Sequence, residues 1–254
     1  MMIALFTDFG ADDIYVGQMK AALLSHAGRD VHLVDALHNV PDYDARAAAH
    51  LLAALHGAYP DGTVFLAVVD PGVGSAREPV AVMTQGDGKT QWLVGPDNGL
   101  LSVIAARTSR ASGTAQVRTF RITWRPAALS ASFHGRDLFA PVAAWLASGE
   151  APADKLEETG ALQVQLDAGD LAEIIYVDHY GNALTGMRAA AVADDARLRV
   201  AQTEVTRARV FSDVPEGQAF WYVNSIGLVE IAVNRGSAAA QLGLRPGHVV
   251  EVLA

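Results

Sequence analysis

The chain contains no cysteine. That absence excludes disulfides, thiolate catalysis and cysteine-ligated zinc or iron–sulfur centres, and it fits a cytoplasmic location. Basic residues are also scarce: 19 lysines and arginines face 28 acidic residues, for a net charge of −9. No lysine or arginine run occurs, so no nucleic-acid partner is expected, because phosphate recognition needs clustered cations. A small cationic substrate stays compatible with this charge. No apolar stretch reaches the roughly 18 residues of a membrane span. The start, MMIALFTDFGADD, lacks the basic head and long apolar region of a secretory leader. What the chain has instead is a 51% hydrophobic share across 254 residues, enough for a large buried core.

Short apolar runs alternate with helical spacing through the first part. Residues 2–6 (MIALF) read as a buried strand entering the polar loop Thr7-Asp8-Phe9-Gly10. A helical pattern follows over 13–26, then a strand over 31–37 and an alanine-rich helix over 44–58 that Asp42 or Asp44 can cap. TVFLAVVD (63–70) is another continuous strand, stopped by Pro71-Gly72, and the Gly86-Asp87-Gly88 turn joins two more as a hairpin. This alternation predicts an α/β domain with a mainly parallel sheet flanked by helices. Thr7-Asp8, Asp70 and Asp97-Asn98 all follow strands, where open α/β sheets hold ligands, so one shared pocket is predicted for the three. After about residue 150 the pattern changes. APADKLEETG (151–160) reads as a charged connector, and closely spaced β-like runs with turn residues between them follow to the end. We therefore divide the chain into an α/β domain, 1–165, and a smaller β-barrel-like domain, 166–254.

Each chemical signal is ambiguous alone. Asp8, Asp12 and Asp13 can be a helix cap, a ribose-diol carboxylate or a hard-metal loop. In VVDPGVGSAR (68–77), Asp70 ends a buried strand and Arg77 can return to hold it ionised. His134 sits among aromatic and apolar residues in SFHGRDLFAP (132–141), next to a glycine that lets a ligand approach the backbone.

Taken together, TDFG (7–10), YVGQMK (15–20), VVDPGVG (68–74), GPDNGLL (95–101), FHGRDLFAP (133–141), YVDHYGN (176–182) and NSIGLVEIAVN (224–234) resemble the S-adenosyl-L-methionine (SAM) hydroxide adenosyltransferases, relatives of the SAM-dependent fluorinase and chlorinase. The resemblance runs through nearly the whole chain. It implies hydrolysis of SAM to adenosine and methionine by water attacking the ribose 5′ carbon, with no cofactor. It further implies a homotrimer with active sites between subunits. The family's catalytic set falls on Asp70, Arg77 and His134, and its ribose carboxylate on Asp8. Aromatic stacking near the ribose falls on Tyr43. In the second domain Asp178 and Asn182 match contacts to the methionine amine and adenine, Ser225 a methionine-carboxylate contact, and Phe211 an adenine-stacking aromatic. Val233 and Arg235 offer backbone groups to the adenine edge.

The departures from the halogenases point to water. Asp70 to Gly74 replace their halide-side loop, and His134-Gly135 stand where the fluorinase has Tyr-Ser. An ionised aspartate there repels a halide. Ile226 replaces the fluorinase arginine near the substrate carboxylate, and Thr185-Gly186 replaces the usual Thr-Asn. Two other functions are compatible with parts of the sequence: a metal-dependent nucleotide phosphohydrolase using Asp8, Asp12 and Asp13, and a non-catalytic SAM or adenosine sensor.

Overall fold

A computed structural model describes residues 1–253 apart from Arg29, Ser112, Thr114, Ala151 and Pro152. The chain resolves into two compact units, one of residues 1–52 and 59–168, the other of 53–58 and 169–254.

The first unit is built on a seven-stranded sheet in the order β2-β1-β3-β5-β4-β6-β7. Its strands are β1 (Met2–Thr7), β2 (His32–Leu37), β3 (Val64–Val68), β4 (Pro79–Gly86), β5 (Lys89–Pro96), β6 (Gln116–Ile122) and β7 (Leu156–Thr159). Strands β2, β1, β3 and β5 run parallel, and β4, β6 and β7 add antiparallel neighbours, so five of the seven point the same way. The central strands are continuous apolar runs because both faces are covered. Ile3, Leu5, Leu66 and Val68 pack with Met19 and Leu23 of α1 (Ile14–His26) and with Val142 and Leu146 of α4 (Ala140–Ala147). The alternate residues Ala4, Phe6, Phe65 and Ala67 point to the opposite face and are equally buried. Helix α2 (Ala45–Leu55) is capped by Asp44, whose carboxylate accepts from the Ala47 N–H at 2.9 Å, and α3 is Ser102–Arg110.

The hairpin between β4 and β5 forms as expected, with Asp87 and Gly88 both at positive φ, the backbone a tight two-residue turn demands. The connector reading of 151–160 is overturned in part. Ala151 and Pro152 lie outside the described residues, but Leu156–Thr159 is the edge strand β7. Its charges are cross-strand partners instead of a solvated linker: Glu158 pairs with Arg118 at 2.7 Å, and Glu157 with Arg121.

The second unit has two antiparallel sheets. One orders β12 (Ala219–Val223), β13 (Leu228–Val233), β9 (Ala183–Arg188) and β8 (Leu171–Val177); the other orders β11 (Thr203–Val205), β10 (Arg197–Val200) and β14 (Val250–Leu253). Single bridges, Glu173 to Val249 and Arg207 to Trp221, join the sheets at both margins in place of continuous ladders. Strand β9 carries Gly186 in its interior, where a glycine ordinarily weakens a strand. Here Gly186 is required: a Cβ would come within 2.6 Å of Leu171 Cβ and 2.9 Å of its carbonyl oxygen. The short α5 (Ala238–Leu242) is capped by Ser237.

Candidate active site

Strands β1 and β3 are adjacent and parallel, with Thr7 opposite Val68, so Asp8 and Asp70 leave the sheet side by side at its carboxyl edge. This is the switch point of the 2-1-3 strand order, where α/β sheets open a ligand crevice. After Asp70 the chain turns tightly, with the Val73 N–H donating to the Asp70 carbonyl at 3.2 Å. Gly74 has φ +79°, and a Cβ on it would lie 2.6 Å from the Ala131 carbonyl oxygen. That close approach seats the 70–77 loop against the segment leading to His134. Arg77 then reaches back: Nε donates to Asp70 Oδ1 at 2.9 Å and Nη2 to Oδ2. Nη2 also contacts His134 Nδ1 at 3.2 Å. The Asp70 and Arg77 side chains are only 5% and 10% exposed, and the guanidinium lies 5.2 Å from the Phe139 ring centroid. The three residues that were separately ambiguous form one connected group.

A guanidinium can only donate, so His134 Nδ1 accepts in this contact and the ring proton resides on Nε2. Burial first, and then the Arg77 charge, push the His134 pKa below its ordinary 6.5, keeping the ring neutral. Asp8 shifts the other way. Burial raises its carboxyl above 3.8, and the charges of Asp42 and Asp70 add to this against the Tyr43 N–H, which donates at 3.1 Å. Tyr43 itself adopts φ 61° and is 75% exposed, its ring free to meet a ligand. Asp8, Tyr43, Asp70 and His134 line one cavity of about 710 Å³, together with Phe9, Tyr15, Gln18, Phe133 and Arg136. A cavity of this size holds a nucleoside-sized ligand.

The expected convergence of three polar clusters is corrected to two. Asp97 is 5% exposed and accepts the Gln163 and Val164 N–H groups at 2.8 and 3.1 Å. Asn98 donates to the Val69 carbonyl at 2.8 Å, so this pair ties loops together and does not line the cavity. In the acidic loop Asp13 caps α1 through the Ile14 N–H at 2.6 Å and also lines the cavity with Asp8. Among the described residues no group of three or more histidine or carboxylate side chains could hold a metal ion.

The second unit gathers its own set around a cavity of about 730 Å³: Asp178, Asn182, Phe211, Val233 and Arg235, with Tyr180 and Tyr222. Asp178 is held rigidly. It accepts the Tyr180 and Asn182 backbone N–H groups at 2.9 and 2.8 Å and the Asn182 side-chain amide at 2.9 Å. Asn182 Oδ1 is buried with no partner among the described residues. Phe211 packs edge-on against Phe220 and Tyr222, with centroids 5.2 and 5.4 Å away. Ser225 is exposed on the turn after β12 and does not line this cavity.

Sequence reasoning missed Tyr222 and Glu230. Glu230 is 4% exposed on β13, accepting from the Tyr222 hydroxyl at 2.5 Å and the Asn224 amide at 2.8 Å. Burial raises its pKa despite both bonds. Because the Tyr222 proton is committed to Glu230, its oxygen offers only lone pairs to the cavity. The available signal was a lone glutamate inside the apolar run LVEIAV. On the first side, Phe9, Tyr15 and Phe133 were also missed. They form an edge-to-face trio with centroids 5.5 to 6.0 Å apart.

Models of the SAM hydroxide adenosyltransferase N-terminal and C-terminal domains match residues 3–157 and 172–251. The chain belongs to the SAM hydroxide adenosyltransferase family. It is similar to proteins named (R)-S-adenosyl-L-methionine hydrolase from Salinispora arenicola, at 41% identity over 99% of this chain and 97% of that one, and from Thermus thermophilus, at 38% over 99% of each. A fluorinase of Actinopolyspora mzabensis is more distant, 26% identical over 99% of this chain and 96% of that one. Among solved structures, an uncharacterized conserved protein from Thermotoga maritima has a TM-score of 0.84 at 31% identity, covering 100% of both chains.

Proposed function

We propose that this protein hydrolyses S-adenosyl-L-methionine to adenosine and L-methionine, and that it accepts the (R) sulfonium epimer named for its relatives. The observation that carries the reading is the connected Asp70–Arg77–His134 group, with Asp70 and His134 lining the same cavity as Asp8. Asp8 accepts the ribose hydroxyls and Tyr43 covers the sugar, which leaves the 5′ carbon toward the triad. A water binds there, accepting from His134 Nε2–H and donating to Asp70. Of the three side chains only Asp70 has lone pairs free to take the proton, because Arg77 has none and the His134 Nδ1 pair faces Arg77.

The water oxygen attacks C5′ in line as the C5′–S bond breaks. The bonding pair leaves with sulfur, giving neutral methionine thioether, and Asp70 passes the water proton on to solvent. The sulfonium needs no general acid, so no cofactor enters the scheme. Attack at carbon erases the sulfur configuration, and the choice of epimer is therefore a matter of binding. Holding both reactants in line can contribute roughly 7–11 kcal/mol.

The rigid acceptor set of Asp178, Asn182 and Tyr222 suits the amino groups of adenine and methionine. We assign that unit to the same reaction, in a cytoplasmic homotrimer whose active sites lie at subunit interfaces. No helix among the described residues is long and apolar enough to cross a membrane. Incubation with each SAM epimer in ¹⁸O-water, with chromatography and mass spectrometry, tests the chemistry. Adenosine carrying the label at its 5′ oxygen, together with methionine, is expected. Loss of activity on chelation would favour the phosphohydrolase alternative, and light scattering tests the trimer.

A further inference from the structure

The walls of the first cavity are acidic, with Asp8, Asp13, Asp42 and Asp70 lining it, and among the described residues Arg136 is the one lysine or arginine in that lining. The proposed substrate carries a positive sulfonium at its reacting end, which such walls suit. Within this cavity its single carboxylate meets no cation but Arg136 among the described lining residues. The arginine is held in place on three sides. Nε and Nη2 donate to Asp137 at 2.6 and 3.0 Å, and Nη1 donates to Gln18 Oε1 at 3.0 Å. Its guanidinium lies 5.1 Å from the Phe133 ring centroid, and Asp137 is itself anchored by the Ser130 N–H at 2.9 Å. These bonds use three of the five guanidinium N–H groups. One N–H on each terminal nitrogen stays uncommitted among the described residues, and the side chain is 35% exposed. A pre-positioned guanidinium with two spare donors is a carboxylate receptor, since paired N–H groups match the two oxygens.

We propose that Arg136 binds the carboxylate of the amino-acid portion of the substrate, and so selects sulfonium nucleosides that carry one. This rests on the SAM-cleaving reading and adds to it a residue that recognises substrate without taking part in bond breaking. Gln18 and Asp137 are its positioning residues.

The test compares SAM with its decarboxylated analogue of the same sulfur configuration, which keeps the sulfonium and amine and lacks only the carboxylate. With the unaltered protein, kcat/KM should be roughly ten- to a hundredfold higher for SAM, the worth of one charge-assisted contact. Arg136→Gln should raise KM for SAM by a similar factor with kcat changed little, and leave KM for the analogue unchanged. Arg136→Lys, which keeps a charge without the fork, should fall between. Equal kcat/KM for both substrates in the unaltered protein would overturn the proposal. So would an equal loss on both substrates in Arg136→Gln, which would mark Arg136 as a purely structural support for the His134 segment. Release of adenosine from neither substrate by the unaltered protein would instead defeat the hydrolase reading itself.

Discussion

Replacing Asp70 with asparagine changes shape little and removes one charge from the most enclosed ion pair of the site. Two bonds hold Arg77 to that carboxylate, with 5% and 10% of the two side chains exposed. In Asp70→Asn the amide oxygen keeps one of them as a neutral acceptor. The amide nitrogen then confronts an Arg77 N–H, donor against donor. Losing one charge-assisted bond outright and weakening the other gives about 3 kcal/mol of destabilisation, the lower end of the range for breaking a buried pair from one side. Arg77→Met leaves the opposite charge unpaired and should cost a similar amount. The double variant removes both charges, so it should be less destabilised than the sum of the singles by about 2 kcal/mol or more. Urea denaturation of the four proteins measures that coupling. Turnover of Asp70→Asn should also fall by about 10²–10⁴-fold if the carboxylate accepts the water proton. A coupling below about 0.5 kcal/mol would mean that the pair is solvated and independent, and the argument from its enclosure would fail.

Gly74→Ala places a methyl group against the Ala131 carbonyl at positive φ. It should lower stability by about 1–3 kcal/mol and lower kcat more than adenosine affinity, as read by melting curves and kinetics. Asp8→Asn should weaken adenosine binding by about ten- to a hundredfold in calorimetry. Because burial raises the Asp8 pKa in the fold, folding favours its protonated form. The stability cost of the ionised form is absent below 3.8 and grows as pH rises through the shifted value. Asp8→Asn should therefore be no less stable than the parent at neutral pH. Lowered from 6.5, His134 stays neutral where an ordinary histidine gains its proton, and its contribution to stability is lost as pH falls below 6.5 through the folded value. The acid limb of kcat/KM should lie below 6.5, and Asp70→Asn, which removes the charge that raises the His134 pKa, should shift it lower still.

Much of this protein was legible in the order of its residues. Continuous apolar runs of five or six residues, each ending in a polar turn, demand strands buried on both faces, and the helical spacings between them supply the cover. Asp44 and Asp13 sit where helix caps must sit, and Asp87-Gly88 where a two-residue hairpin must turn. Periodicity does not encode which strands become neighbours. Asp8 and Asp70 meet only because β3 crosses to lie beside β1, while Asp97, after a strand of the same kind, ends up tying down the 163–164 segment. Arg77 joins Asp70 by a local turn that the glycines of 72–74 allow. Its contact with His134, 57 residues away, depends on loops brought together at the Gly74–Ala131 approach. The charges of Glu157 and Glu158 read as a linker until the fold set arginines opposite them. The buried Glu230 and the spare donors of Arg136 were likewise decided by packing, because whether a charge is paired depends on neighbours that the chain supplies from afar.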